Sequence, residues 1–275
     1  MKKIMTLALA CAAIAMPSCK SKAPADAAGE KKSIVLYYSQ TGATQAVAEA
    51  LGQKLGLELE AIELVDPYPA DYDSTIARCQ QERAAGIFPA IKPLQADLAT
   101  FDTIYLGYPV WFGTYALPVG TLLQANSFAG KVIIPFCTFG SGGLENTEAN
   151  LRQALPQATI LPGYGVRNAR IAKMPQEIDR FLIEGGYMAG EVTPLPAYSA
   201  PQPVTDTERA IFDAACSGYR FPLGTPVSVG SRQGDNGTDY LYLVNSKIPD
   251  GEEAVATIYV TVSPDSVAEF TKVVR

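Results

Sequence analysis

Three short segments of the chain carry residue types able to hold a ligand. The first is Ser39-Gln40-Thr41-Gly42-Ala43-Thr44. It offers three hydroxyls, and Gly42 lets the backbone curl without a side-chain clash. A helix starting here would present unpaired amides and the positive end of its dipole, which together favour a phosphate. The segment has no Lys, so it is not a triphosphate loop, and it lacks the glycine spacing of a dinucleotide fingerprint. A terminal monophosphate fits it; so does a plain strand–turn–helix cap. The second segment, Gly107-Tyr108-Pro109-Val110-Trp111-Phe112-Gly113, holds the only Trp of the chain. Planar rings favour offset stacking on aromatic faces, so Trp111 and Phe112 suit a wall for a flat ligand. Ordinary core packing is the alternative. The third, Thr138-Phe139-Gly140-Ser141-Gly142-Gly143, is rich in glycine. Its amides are free to approach the polar edge of a ligand, with a flexible loop as the rival use.

All three segments follow apolar runs that read as buried strands. Ser33–Tyr38 is short and rich in β-formers. Val47, Leu51 and Leu55 then recur at helical spacing, and Gly56 closes that helix. The pattern predicts further strands at 57–64, 101–108, 131–137 and 159–166. Helices are predicted near 75–83, 118–124, 145–155 and 175–183. Pro135 is awkward inside a central strand and is expected near that strand's end. Strands alternating with helices argue for βαβ units around a parallel sheet, with right-handed crossovers. The three segments then leave the carboxyl ends of neighbouring strands, where open α/β sheets bind their ligands.

Together, YYSQTGAT (37–44), GYPVWFGTYALP (107–118) and FCTFGSGG (136–143) resemble the flavodoxin family. The resemblance covers somewhat over half of the chain. It implies an α/β three-layer sandwich with a five-stranded parallel sheet in the order 2-1-3-4-5, and a noncovalent FMN. Carried over by motif, the FMN phosphate falls to Ser39, Gln40, Thr41, Gly42, Ala43 and Thr44. The ring falls to Pro109, Val110, Trp111, Phe112 and Gly113 on one side, with Thr138, Phe139, Gly140 and Gly143 lining the other loop. Trp111 is the expected stacking partner, with Tyr115 nearby. The implied activity is electron transfer with a redox partner protein.

The ends of the chain depart from that pattern. Lys2 and Lys3 precede an apolar run from Met5 to Ala15, and Cys19 follows Ser18. This reads as an export signal over 1–18, with Cys19 as a lipidation site; the alternative is an ordinary secretory peptide with an incidental Cys. Residues 19–32 read as a tether, which places the domain at 33–186 outside the cytoplasm and membrane-anchored. A Pro-rich linker or strap follows at 187–205. Residues 206–275 read as a small α+β domain, one helix with an antiparallel sheet, and Asp235-Asn236-Gly237 is its hairpin signal. About 70 residues supply only a marginal core, so this domain is expected to pack on the first.

Composition narrows the chemistry. The 275 residues carry a net charge of −6 and contain no His. Nucleic acid is an unsuitable partner for such a chain, and His-based triads and His-containing metal sites are excluded. Cys79, Cys137 and Cys216 are widely spaced and odd in number, which fits separate thiols better than a disulfide framework or a metal cluster. Two other functions share these features. One is an FMN-dependent reductase of quinones with a nicotinamide donor. The other is a surface binding module that kept the fold without its cofactor.

Overall fold

The computed structural model describes residues 32–140, 142–247 and 253–274. The export signal, the tether and Cys19 lie outside these residues, apart from Lys32. In chain order the first domain comprises β1 (Ser33–Tyr37), α1 (Ala43–Leu55), β2 (Glu58–Ala61), α2 (Tyr72–Ala85), β3 (Thr103–Trp111), β4 (Thr114–Tyr115), α3 (Leu117–Ala125), β5 (Val132–Phe139), α4 (Leu144–Ala154), β6 (Thr159–Ile160), β7 (Tyr164–Arg167) and α5 (Met174–Glu184). The main sheet is parallel and runs β2-β1-β3-β5, with β6 and β7 both on the far side of β5. This is the expected 2-1-3-4-5 order, with its fifth strand in two pieces.

Alternation along β1 divides the core into two layers. Ile34 and Leu36 pack with Cys79, Val119, Leu122 and Leu151, from α2, α3 and α4. Val35 and Tyr37 pack with Val47, Ala48 and Leu51 of α1 and Ile178 and Leu182 of α5. A strand with apolar residues on both faces is what a sheet covered on both sides requires.

Pro135 lies in the middle of β5, opposite Leu106 of β3, and not near the strand's end as expected. The carbonyls of Lys131 and Ile133 accept from Thr159 and Leu161 on the fifth-strand side, so Pro135 points its missing donor to that side as well. There the fifth strand is interrupted between Ile160 and Tyr164. A Cβ on Gly163 would sit 2.1 Å from the Pro135 carbonyl oxygen. The proline and the broken strand are one feature, since the edge partner skips the residue that cannot donate.

Residues 187–205 form a strap whose regular structure is confined to β8 (Gln202–Pro203). The Ser199 amide donates to Ser231, and the Ser231 amide to the Ser199 hydroxyl. Then come α6 (Asp206–Cys216), β9 (Thr225–Gly234), β10 (Gly237–Lys247), β11 (Glu253–Val262) and β12 (Ala268–Val274). Their sheet is antiparallel, in the order β12-β11-β10-β9-β8. A reciprocal capping box between Thr205 and Glu208 starts α6. Phe212 seals one face of the sheet over Val229, Tyr242, Ile258 and Phe270. The hairpin falls at the expected turn, with Gly234 paired to Gly237. β12 was not expected from the sequence, because its buried Phe270 and Val273 stand three residues apart, across a shift of register between Tyr259 and Val260 of β11, and so break the alternation that marks a strand.

Cys79, Cys137 and Cys216 are free thiols. Burial pushes the Cys79 thiol up to about 11 and the Cys137 thiol well above its ordinary value. No helix among the described residues is long and apolar enough to cross a membrane.

Candidate functional site

The three segments converge at the carboxyl ends of β1, β3 and β5. The first forms the turn from β1 into α1. Gly42 is the N-cap of α1 at φ 87°, and no side chain caps the helix. Its first amides therefore lack intrahelical partners. The Ser39 hydroxyl is buried at this point and has no hydrogen-bond partner in the protein. Buried polar groups are almost always paired, and an unpartnered hydroxyl beside an uncapped helix start is a donor set that suits an anion. A Cβ on Gly42 would meet no atom within 4 Å.

The other hydroxyls of this turn differ. Thr41 is exposed, whereas Thr44 is 1% exposed and its hydroxyl lies 2.8 Å from that of Thr138, itself 1% exposed. This bond ties the first segment to the third. The Gln40 side chain turns away from the helix start: its Nε2 donates to the Pro69 carbonyl, and its Oε1 accepts from the Tyr38 hydroxyl. Only the backbone of Gln40 remains available to a ligand at the turn. Ala43 is the first residue of α1.

The second segment is not a loop throughout. β3 runs on through Pro109, Val110 and Trp111, and Val110 and Trp111 pair with Tyr115 and Thr114 of β4. Only Phe112 and Gly113 form the turn, at φ 50° and 77°. Positive φ at both central residues matches the twist of a two-residue hairpin. The two aromatic residues are thereby separated. The Trp111 ring is half-buried and meets Tyr38 and Tyr68 edge-on, with ring centres 5.8 and 5.2 Å away. Phe112 is 43% exposed, with the Arg83 guanidinium 4.9 Å from its ring centre. Tyr115 is half-buried, edge-on to Tyr108.

The third segment likewise begins inside a strand. Thr138 and Phe139 end β5, and Pro109 pairs with Thr138, so the second and third segments lie side by side. Gly140 opens the loop, and a Cβ there would meet no atom within 4 Å. Gly143 is the N-cap of α4.

Three contributors were not foreseen. Tyr38 and Tyr68 frame Trp111. Tyr68 donates its hydroxyl to Glu82 and lies under the Arg78 guanidinium. Arg167, at the end of β7, donates from Nε to the Gly140 carbonyl at 3.0 Å. Tyr68 has no sequence signal beyond its two flanking prolines. Arg167 could have been found by applying the carboxyl-end rule to the fifth strand.

A family model described as flavodoxin matches residues 32–179. The chain belongs to the flavodoxin family. Among solved structures, this flavodoxin domain is similar to a candidate flavoprotein from Bacteroides uniformis ATCC 8492, at 28% identity over 55% of this chain and 99% of that one, with a TM-score of 0.49. A similar protein from Bacteroides eggerthii DSM 20697 is 27% identical over 55% and 99%, with a TM-score of 0.46. A flavoprotein from Lactobacillus acidophilus NCFM, solved in complex with FMN, is 23% identical over 53% and 99%, with a TM-score of 0.44. No curated protein matches the chain.

Proposed function

We propose that this chain is an FMN-binding electron-transfer protein, exported and held at a membrane by a lipid on Cys19. The observation that carries the FMN reading is the Ser39 hydroxyl, buried without a partner at the uncapped start of α1, in a domain of the flavodoxin family. The donor set suits a terminal phosphate. The free amides of α1 and the Ser39 and Thr41 hydroxyls donate, and no side chain competes for the helix end. Thr44 and Thr138 hold the two loops in register by their buried bond. Trp111 is braced by Tyr38 and Tyr68, so its orientation is fixed before any ligand arrives. Among the aromatic residues of the second segment it is therefore better placed than exposed Phe112 to wall a ring. The glycine amides of the third segment are suited to the ring's polar edge.

Bound FMN supplies one- and two-electron chemistry; the protein binds, orients and tunes it. We favour a carrier over a reductase because the nicotinamide donor a reductase needs is scarce outside the cytoplasm. The export signal and tether read in the sequence support a location outside the cytoplasm. The decisive experiment is an absorption spectrum of the chain lacking residues 1–19, taken after addition of FMN and removal of free flavin. Retention of one FMN per chain is expected. A folded protein that retains none refutes the reading.

A further inference from the structure

The C-terminal sheet meets the flavodoxin domain at its third ligand segment. Arg167 ends β7 with two carbonyls in its fork. Its Nε donates to Gly140, and its Nη1 donates to Phe270 of β12 at 2.7 Å. The same guanidinium lies 4.4 Å from the centre of the Phe270 ring. Two residues further along β12, Lys272 donates to Glu145 at 2.7 Å, in the first turn of α4. Gly140, through Arg167, and Glu145, through Lys272, are thus both tied to one strand of the other domain. Further pairs fix that strand and its sheet. Arg170, 6% exposed, meets Glu269 and Thr271, and Arg180 grips Asp235 at the β9–β10 turn with two bonds of 2.5 and 2.7 Å.

This placement bears on binding because of what the segment is made of. Gly140, Gly142 and Gly143 have more backbone freedom to lose than any other residue type. A ligand that must order them binds more weakly than one that finds them ordered. A guanidinium can hold two carbonyls in one fixed geometry, which a lysine ammonium does not reproduce.

We propose that the C-terminal domain is a positioning element for the cofactor: through Arg167 and Lys272, β12 pre-orders Gly140 and the turn at 142–145 for FMN. This rests on the FMN reading above. Arg167 and Lys272 are positioning residues, acting through the Gly140 carbonyl and the Glu145 carboxylate.

The test uses the whole chain from residue 20, with Arg167→Gln, Arg167→Lys, Lys272→Met and Lys272→Arg. One readout needs no FMN: the backbone order parameters of Gly140, Gly142 and Gly143 in the cofactor-free protein. They are expected near about 0.85 in the parent and below about 0.6 in Arg167→Gln and Lys272→Met. The second readout is the FMN dissociation constant. It should rise by about tenfold in Arg167→Gln, the backbone-ordering cost of about one residue that FMN must then meet itself. Lys272→Arg should stay within about twofold, because it keeps the charge that Glu145 meets. Arg167→Lys should behave like Arg167→Gln. Amide exchange in β10 and β11 monitors whether the C-terminal domain itself stays folded. If Arg167→Gln loses that protection, the Lys272 pair decides. Unchanged order parameters and affinities in variants with a protected sheet overturn the proposal. A parent chain that binds no FMN overturns the functional reading instead, while the order parameters still decide whether the strand holds the segment.

Discussion

Ser39→Ala should move two properties in opposite directions, and the structure gives the sign of each. In the protein alone the Ser39 hydroxyl is buried and unpartnered. An unsatisfied buried polar group costs about 1–3 kcal/mol, so its removal should stabilise the cofactor-free protein. Water reaching the turn reduces this, and we take the lower end, about 1 kcal/mol. For a chain of this size that is a rise of about 2–4 °C in Tm. With FMN present the hydroxyl gains a charged acceptor. Hydrogen bonds to charged groups are worth about 1.5–3 kcal/mol, so the FMN dissociation constant should rise by about 10- to 150-fold. The assays are thermal unfolding of the cofactor-free chain and fluorescence titration with FMN. An unchanged dissociation constant would show that Ser39 does not meet the phosphate. A fall in Tm would show that the hydroxyl already has a partner. Either result refutes the reasoning, and each refutes a different half of it.

The glycines of the domain divide into two kinds. Gly163→Ala places a Cβ 2.1 Å from the Pro135 carbonyl oxygen, and denaturant unfolding should show a loss of about 1–3 kcal/mol or more. Gly140→Ala meets no protein atom within 4 Å; it should leave that stability within about 0.5 kcal/mol while weakening FMN in titration. Thr138→Val removes the partner of the buried Thr44 hydroxyl and should cost about 1–3 kcal/mol in the same unfolding assay. Acid should loosen the two domains. Hydrogen bonding from Arg180 holds the Asp235 carboxyl below its usual range. Burial raises the Glu145 carboxyl, but Lys272 and the backbone at Leu144 and Glu145 outweigh it, so the net shift is downward. A folded pKa below the unfolded one gives stability that is present above the ordinary carboxylate pKa and lost as the pH falls through the folded value. Stability monitored by Trp111 fluorescence should therefore decline below about pH 4, and Asp235→Asn should flatten that decline. Finally, Cys19→Ala should abolish lipid attachment, which mass spectrometry of the expressed protein and its absence from washed membranes would show.

The sequence by itself determined the main elements of the flavodoxin domain. Its strands are short apolar runs because both faces are covered, and its helices repeat apolar residues at helical spacing; both patterns are local. The Gly42 turn and the Asp235-Asn236-Gly237 hairpin were legible for the same reason, since each depends on neighbours a few residues apart. Only the tertiary structure decided matters that depend on what faces a residue across the fold. Pro135 is tolerated in the middle of β5 because the fifth strand breaks opposite it, which no pattern within β5 reveals. Trp111 and Phe112 are adjacent in sequence and alike in type. Pairing with β4 carries one toward Tyr38 and Tyr68 and leaves the other at the turn. The Gln40 side chain goes to Pro69, 29 residues away, and Thr44 spends its hydroxyl on Thr138, 94 residues away. Arg167 reaches Phe270 over a separation of 103 residues. Hydrogen bonds and ion pairs of this range leave no periodic trace, because the chain between their partners is free to have any sequence that folds.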